Sequence, residues 1–213
     1  MQAVPNLDLG RLQTDLAKLV RLLHDDLRKR CDAIAEVDQG LQADHARART
    51  AERTSESFAA WREVYLNQVA AAWVIASLFL RFLEDNAFLE EIWLAGEGPS
   101  RAQADERHSA FFRTHPDLND RDYFYFVFDQ LASQPGCQEL FGREHTPLWK
   151  VGLTGDGAKK LREFWRQIDE TTGRLTRDLT GLDTRFLGDL YQNLSDPPCQ
   201  HGVCPVLDLL RSS

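Results

Sequence analysis

Apolar residues recur at helical spacing along most of this chain. Leu12, Leu16, Leu19, Leu23 and Leu27 step by four, three, four and four, with Asp, Lys and Arg between them. That spacing predicts an amphipathic helix with one narrow apolar stripe. The helix is expected to run from about Leu7 into the 33–49 region, where apolar residues thin out. A stripe this narrow suits a helical hairpin of the same chain, the favoured reading, or a partner helix. Thr54, Ser55 and Ser57 offer caps for the next helix, which carries Trp61, Tyr65, Val69, Trp73 and Leu80 and continues to about Asp85. Its middle is apolar all round, the sign of a central helix surrounded by others. From Val69 to Leu80 no residue is charged. As a helix that run rises only ~18 Å, against a bilayer core of about 30 Å. It is read as a buried core helix and not as a membrane span.

Further along, Gly96-Glu97-Gly98-Pro99 breaks the chain. Ser100 is placed to cap a helix to about Thr114, which His115-Pro116 stops. Asn119-Asp120 opens a stretch presenting Tyr123, Phe124, Val127, Phe128 and Leu131 at helical spacing. Propensity alone leaves a strand open there, but the Asp-rich start and the Gln-Leu-Ala ending favour helix. Leu140–Asp156 reads as a loop-rich connector, and Ala158–Ile168 and Thr184–Leu194 read as short helices. No strands alternate with these helices, so no parallel sheet is implied. The expected class is all-α, a multi-helix bundle with a long N-terminal amphipathic helix and a buried central helix.

The chain has 213 residues, 43% hydrophobic and 27% charged, with a net charge of −8. This composition belongs to a folded globular chain with enough length to bury a core. The acidic total makes it a poor autonomous DNA binder, because such binding draws on Lys and Arg displacing counterions at phosphates. The first residues, MQAVPNLDLGRLQTDLAKLV, show no basic region followed by an apolar one, so a cytoplasmic location is the expectation. Cys31, Cys137, Cys199 and Cys204 are then expected as free thiols.

Candidate chemistry is sparse. Glu84-Asp85 and Glu90-Glu91 are adjacent pairs at helix ends, read as solvated or as partners of Arg81 rather than as two acids held across a cleft. The six histidines, at 24, 45, 108, 115, 145 and 201, never take the i, i+4 spacing of a helical metal pair. Cys199, His201 and Cys204 place three soft ligands close together. A structural zinc site wants four, so Cys137 or His145 would have to be recruited, and free cysteines are the preferred reading. Asp196-Pro-Pro-Cys199 is similar to the loop with which amino-group DNA methyltransferases hold a flipped base. Cys199 stands where that loop has an aromatic, and a proline turn after a helix is the better reading. No P-loop, G-x-G-x-x-G or G-x-S-x-G occurs. No catalytic, cofactor-binding or metal-ligating residue is assigned.

Two segments carry a more specific signal. One runs from Trp61-Arg-Glu through Gln68 and Trp73 to Arg81-Phe-Leu-Glu84-Asp85-Asn86; the other is Asp183-Thr-Arg-Phe-Leu-Gly-Asp-Leu-Tyr-Gln-Asn-Leu-Ser195. Between them Phe111-Phe-Arg-Thr-His-Pro116, Asp120-Arg-Asp-Tyr123, His145-Thr-Pro-Leu-Trp149, Gly155-Asp-Gly-Ala158 and Phe164-Trp165 follow in order. This set resembles the N-terminal region of the PglX-type adenine-specific DNA methyltransferases of phage-defence systems (phage growth limitation, grouped with BREX). The resemblance covers roughly residues 50–195. It implies a helical region ahead of an S-adenosylmethionine-dependent domain that methylates adenine N6 and marks host DNA as self. In that family the catalytic motifs lie downstream of the Tyr-Gln-x-Leu-Ser helix, and none is present here.

The expected organisation is an N-terminal amphipathic helix region over 1–50, a helical N-terminal domain of a DNA-methyltransferase-like protein over 51–195, and an aberrant or disordered tail over 196–213. Family members continue with a basic segment, whereas this chain reads DPPCQHGVCPVLDLLRSS. That departure suggests a truncated product. The leading expectation is a non-catalytic module with no cofactor of its own, S-adenosylmethionine serving the full-length family. Its expected partners are the methyltransferase catalytic domain or other phage-defence proteins, with weak DNA binding alone and no membrane contact. The alternative is a stand-alone helical interaction or adaptor protein.

Overall fold

The apolar run at Val69–Leu80 lies inside a 28-residue helix, Phe58–Asp85, against which several of the other described helices pack. The computed structural model describes residues 7–134, 136–144 and 146–195. In chain order the helices are α1 (Leu9–Ala33), α2 (Ala35–Thr50), α3 (Phe58–Asp85), α4 (Pro99–Thr114), α5 (Asp120–Ala132), α6 (Gln138–Phe141), α7 (Gly155–Arg166) and α8 (Thr184–Ser195). A 3-10 turn at Pro147–Trp149 precedes α7. Among the described residues there is no strand, only an isolated antiparallel bridge between Ile168 and Leu175. The all-α expectation holds.

Helix α3 starts where Ser57 accepts a hydrogen bond from the Ala60 N–H, at 3.3 Å. It packs against α1, α2, α7, α8 and the 3-10 turn, which is why no side of its middle is polar. By length and composition alone it would pass for a membrane span, yet Trp73, Val74, Leu78 and Leu80 are buried against other helices. Trp73 meets the Phe124 ring edge-on, with centroids 6.0 Å apart, and Trp165 of α7 donates its indole N–H to Ser77 at 2.9 Å. A buried indole needs such an acceptor.

All five leucines of the α1 stripe are buried within the chain, so the hairpin reading is the correct one. Each contributes about 1.5–3 kcal/mol of burial. The single long helix expected from about Leu7 is, however, two. Ile34 is extended and separates α1 from α2. The break turns α2 back so that its few core residues, Leu41 and His45, reach α3, where the His45 and Trp61 rings lie 5.4 Å apart. Helix α4 also starts differently. Gly98, at φ 52°, is its N-cap and Pro99 its first residue, so Ser100 lies inside the first turn. Proline's fixed φ suits that first position.

Helix α7 begins at Gly155, earlier than Ala158, because its N-cap Thr154 both caps the first turn and is itself held in place. Thr154 accepts from Gly157 at 3.0 Å, and Asp26 of α1 accepts the Thr154 N–H at 2.8 Å. A side chain at 157 would run into the Asp26 carboxylate, so Gly157 permits that approach. At its other end Arg177 donates to Asp15 and to the Phe164 carbonyl, both at 2.9 Å. Helices α1 and α7 are thus fastened at two points.

Candidate functional site

The charged cluster where α3 ends is densely hydrogen-bonded, with only the Arg81 Nε buried without a partner. Arg81 has 0% side-chain exposure, Glu84 0% and Asp85 9%. At i, i+3 and i+4 the three share one helix face. Arg81 donates to Glu84 at 2.7 Å, to the Ala95 carbonyl at 2.9 Å, and to Asp85. Glu84 in turn accepts the N–H groups of Trp93 at 2.6 Å, Leu94 at 2.7 Å and Ala95 at 3.3 Å. Asp85 accepts the Leu179 N–H at 2.9 Å. Asn86 bridges the same turn, donating to the Leu179 carbonyl at 3.1 Å and accepting from Gly181 at 2.8 Å. One helix end therefore ties down the 93–95 run and the 178–181 turn that leads into α8.

The helix is closed by a Schellman cap. The Ala87 N–H bonds to the Glu84 carbonyl at 3.2 Å and the Phe88 N–H to the Leu83 carbonyl at 2.9 Å, with Ala87 at φ 58°. Phe88 lies over Phe82, centroids 5.9 Å apart, and is 65% exposed.

Burial raises the pKa of Glu84 against the opposing pull of Arg81 and of the Leu94 and Trp93 N–H groups. Burial raises Asp85 in the same way, against Arg81 and the Leu179 N–H. A cleft of about 230 Å³ adjoins the cluster, bordered by Glu84, Asp85, Ile92, Glu97, Asp178 and Thr180. Its outer carboxylates are engaged as well: Glu97 accepts the Leu175 N–H at 2.8 Å and Asp178 the Thr180 N–H at 2.9 Å. The carboxylates are spent on holding backbone, which suits fastening segments together rather than acid–base work.

Of the acids weighed in the sequence, Glu84 and Asp85 do pair with Arg81, but they are not solvated. Glu91 instead pairs with Arg107 of α4 at 2.7 Å, and Glu90 is exposed. Cys31 is buried and free, and Cys137 is half-buried and free. Among the described residues no group of three or more His, Cys, Asp or Glu is placed to hold a metal ion. His145, Asp196-Pro-Pro-Cys199, His201, Cys204 and the whole 196–213 tail lie outside the described residues. Sequence spacing pointed to Arg81, Glu84 and Asp85. It gave no sign of the 93–95 and 178–181 partners, whose contribution is mostly backbone.

A second, open groove of about 530 Å³ runs along α2, bordered by Val37, Gly40, Leu41, Asp44, Arg47 and Lys150. Asp44 reaches Lys150 at 3.7 Å and also pairs with Arg47. Tyr65 has its hydroxyl buried without a partner and is pushed up to about 12 by burial and the charge of Asp44.

Against known proteins, the chain is 36% identical over 200 residues to the adenine-specific methyltransferase PglX of Streptomyces coelicolor. That alignment takes in 89% of this chain and 16% of the Streptomyces protein. The resemblance carried by the ordered motifs is thus shown, and the chain spans about a sixth of the length of the relative it matches. No protein-family model matches the chain, and no solved structure does.

Proposed function

We propose that this chain is a non-catalytic helical module of an adenine-specific DNA methyltransferase of the PglX type, serving self-marking in a phage-defence system of the BREX kind in the cytoplasm. The observation that carries the reading is the 36% identity over 89% of the chain to a methyltransferase of which it spans 16%. The sequence supports the non-catalytic part, since its 213 residues hold no P-loop, G-x-G-x-x-G or G-x-S-x-G motif. On this reading S-adenosylmethionine and the reacting adenine are held by the remaining part of such an enzyme. The module supplies a helical body whose last described helix, α8, packs on α3 and follows a turn held to α3 through the Asp85–Leu179 and Asn86–Gly181 bonds. Its partners are the catalytic part of the methyltransferase and other defence proteins.

Two measurements test this. The purified chain is assayed for transfer of a labelled methyl group from S-adenosylmethionine to adenine-containing DNA; no transfer is expected, and turnover would overturn the non-catalytic assignment. In addition, the chain replaces the matching segment of the Streptomyces PglX. Adenine methylation equal to that of the parent is expected. If the hybrid folds and is inactive, the module assignment fails.

A further inference from the structure

The 93–95 run has two sides. Its N–H groups turn to Glu84, while two of its carbonyls meet a tyrosine and an arginine. The Trp93 carbonyl accepts from Tyr123 at 2.8 Å, and the Leu94 carbonyl accepts from Arg166 at 3.1 Å. Arg107 lies over the Trp93 ring, 4.4 Å from its centre. Arg162 and Arg166 converge on a single oxygen of Asp105, Arg166 in direct contact and Arg162 at 3.6 Å. Both are largely buried, with 16% and 11% side-chain exposure, whereas Asp105 is 50% exposed.

Arg162 is the anomaly. Among the described residues it makes no hydrogen bond; a buried, unpartnered Nε it shares with Arg30, Arg62, Arg81, Arg107 and Arg177, but Arg62, Arg81 and Arg177 bond through their terminal nitrogens. Burial and the neighbouring Arg166 charge lower its pKa, against the pull of Asp120, Tyr123 and Asp105. Asp120 offers little relief, because His108 holds its Oδ1 at 2.8 Å. A guanidinium carries five N–H donors in a planar fork. Removing it from water without acceptors costs free energy that one carboxylate oxygen at 3.6 Å does not return.

We propose that Arg162 and Arg166, with Arg107 at the edge, form a binding site for a phosphate group. A phosphate brings several acceptor oxygens to two adjacent forks, which is the geometry arginine recognises best. Asp105, half exposed, turns to solvent as the anion enters. The phosphate comes either from a DNA backbone or from a free phosphate. The DNA source rests on the methyltransferase-module reading, while the site itself does not.

The test uses the full chain. Thermal unfolding is followed in inorganic phosphate and in chloride at equal ionic strength, and a labelled DNA duplex is titrated across a salt series. Three variants are compared: Arg162→Gln, Arg162→Lys, and Arg143→Gln as a control for charge loss at an exposed arginine of another face. Phosphate is expected to raise the melting temperature of the parent and Arg143→Gln, and by a smaller amount that of Arg162→Lys, which keeps the charge but not the fork. Arg162→Gln is expected to lose that rise while melting in chloride no lower than the parent. If the source is DNA, Arg162→Gln weakens duplex binding roughly threefold to tenfold and lowers the salt slope by about one. A phosphate response lost with Arg162 and duplex binding unaffected leaves the site standing with a free phosphate as its ligand, and removes its link to the module reading. Duplex binding lost with Arg162, without a free-phosphate response, assigns the site to DNA. The proposal is overturned if Arg162→Gln matches Arg143→Gln in both assays, if the parent answers neither ligand, or if Arg162→Gln melts lower in chloride yet keeps the phosphate response.

Discussion

Helix α3 carries an arginine near each end, and each meets two carboxylates. Near the start Arg62 reaches Asp38 at 3.1 Å and also contacts Asp32; near the end Arg81 reaches Glu84 at 2.7 Å and also contacts Asp85. The inventories match, but the surroundings do not. Arg62 is 17% exposed and its partners 60% and 24%, so water reaches every member. Burial is the largest single influence on the Arg62 cation and disfavours it, but the bond and charge of Asp32 with the charge of Asp38 together outweigh it, raising its pKa. At the other end the balance reverses: burial outweighs Arg81 at both carboxylates and raises them. The difference teaches that an ion pair's sign is set by what the surrounding chain does to water, not by the pair itself.

The sharpest way to break the comparison is to delete the arginines. Arg81→Met leaves two carboxylates buried with no cation, and a loss of about 3–5 kcal/mol in urea unfolding is expected. Adding Glu84→Gln to Arg81→Met should cost less than the two single losses summed, because the second change removes a charge the first left stranded. A loss under about 1 kcal/mol for Arg81→Met would mean that water enters the cluster freely and that the two ends of α3 are alike.

The reversed balance also fixes a pH dependence. Unfolded, Glu84 titrates near 4.5, and in the fold it keeps its proton to higher pH. Between those two values the folded state binds more protons than the unfolded one, so the stability contributed by this group falls as pH rises. Glu84→Gln removes the titration at a cost of about 1–3 kcal/mol, since an amide cannot accept all the donors that now meet the carboxylate. The stability difference, parent minus variant, should therefore shrink as pH is raised from 4.5 toward neutrality. A difference that grows over the same range would show that Arg81 wins over burial after all.

What the sequence makes legible follows the range of its patterns. The α1 leucines, the apolar middle of α3 and the Asn119-Asp120 start of α5 are local signals, and each corresponds to a helix in the fold. The i, i+3, i+4 spacing of Arg81, Glu84 and Asp85 was enough to foresee pairing. It was not enough to foresee burial, because the cover comes from residues 93–97 and 178–181. The bond from Asp85 to Leu179 spans 94 positions and uses a backbone N–H that any residue could offer. The break at Ile34 was hidden for a similar reason: apolar residues merely thin out there, and what demands a turn is the placement of α3. Arg162 was invisible as a candidate because its isolation depends on where Asp105, Asp120 and Arg166 come to lie.

The smallest effect is expected at the exposed end. Arg62→Ala removes contacts to Asp32, at the end of α1, and to Asp38, in the first turn of α2, so it loosens the joint at Ile34 as well as an ion pair. Exposed pairs contribute less than about 1 kcal/mol, and a loss in that range is expected at low salt. Salt then separates the two ends. At 1 M ionic strength the screening length is about 3 Å, so the Arg62→Ala loss should all but vanish. The Arg81→Met loss should persist, because the Arg81 and Glu84 side chains have no exposure through which salt could screen them. A loss for Arg62→Ala that survives high salt would place the joint's strength in the packing of the arginine stem rather than its charge, and the contrast between the ends would then rest on Arg81 alone.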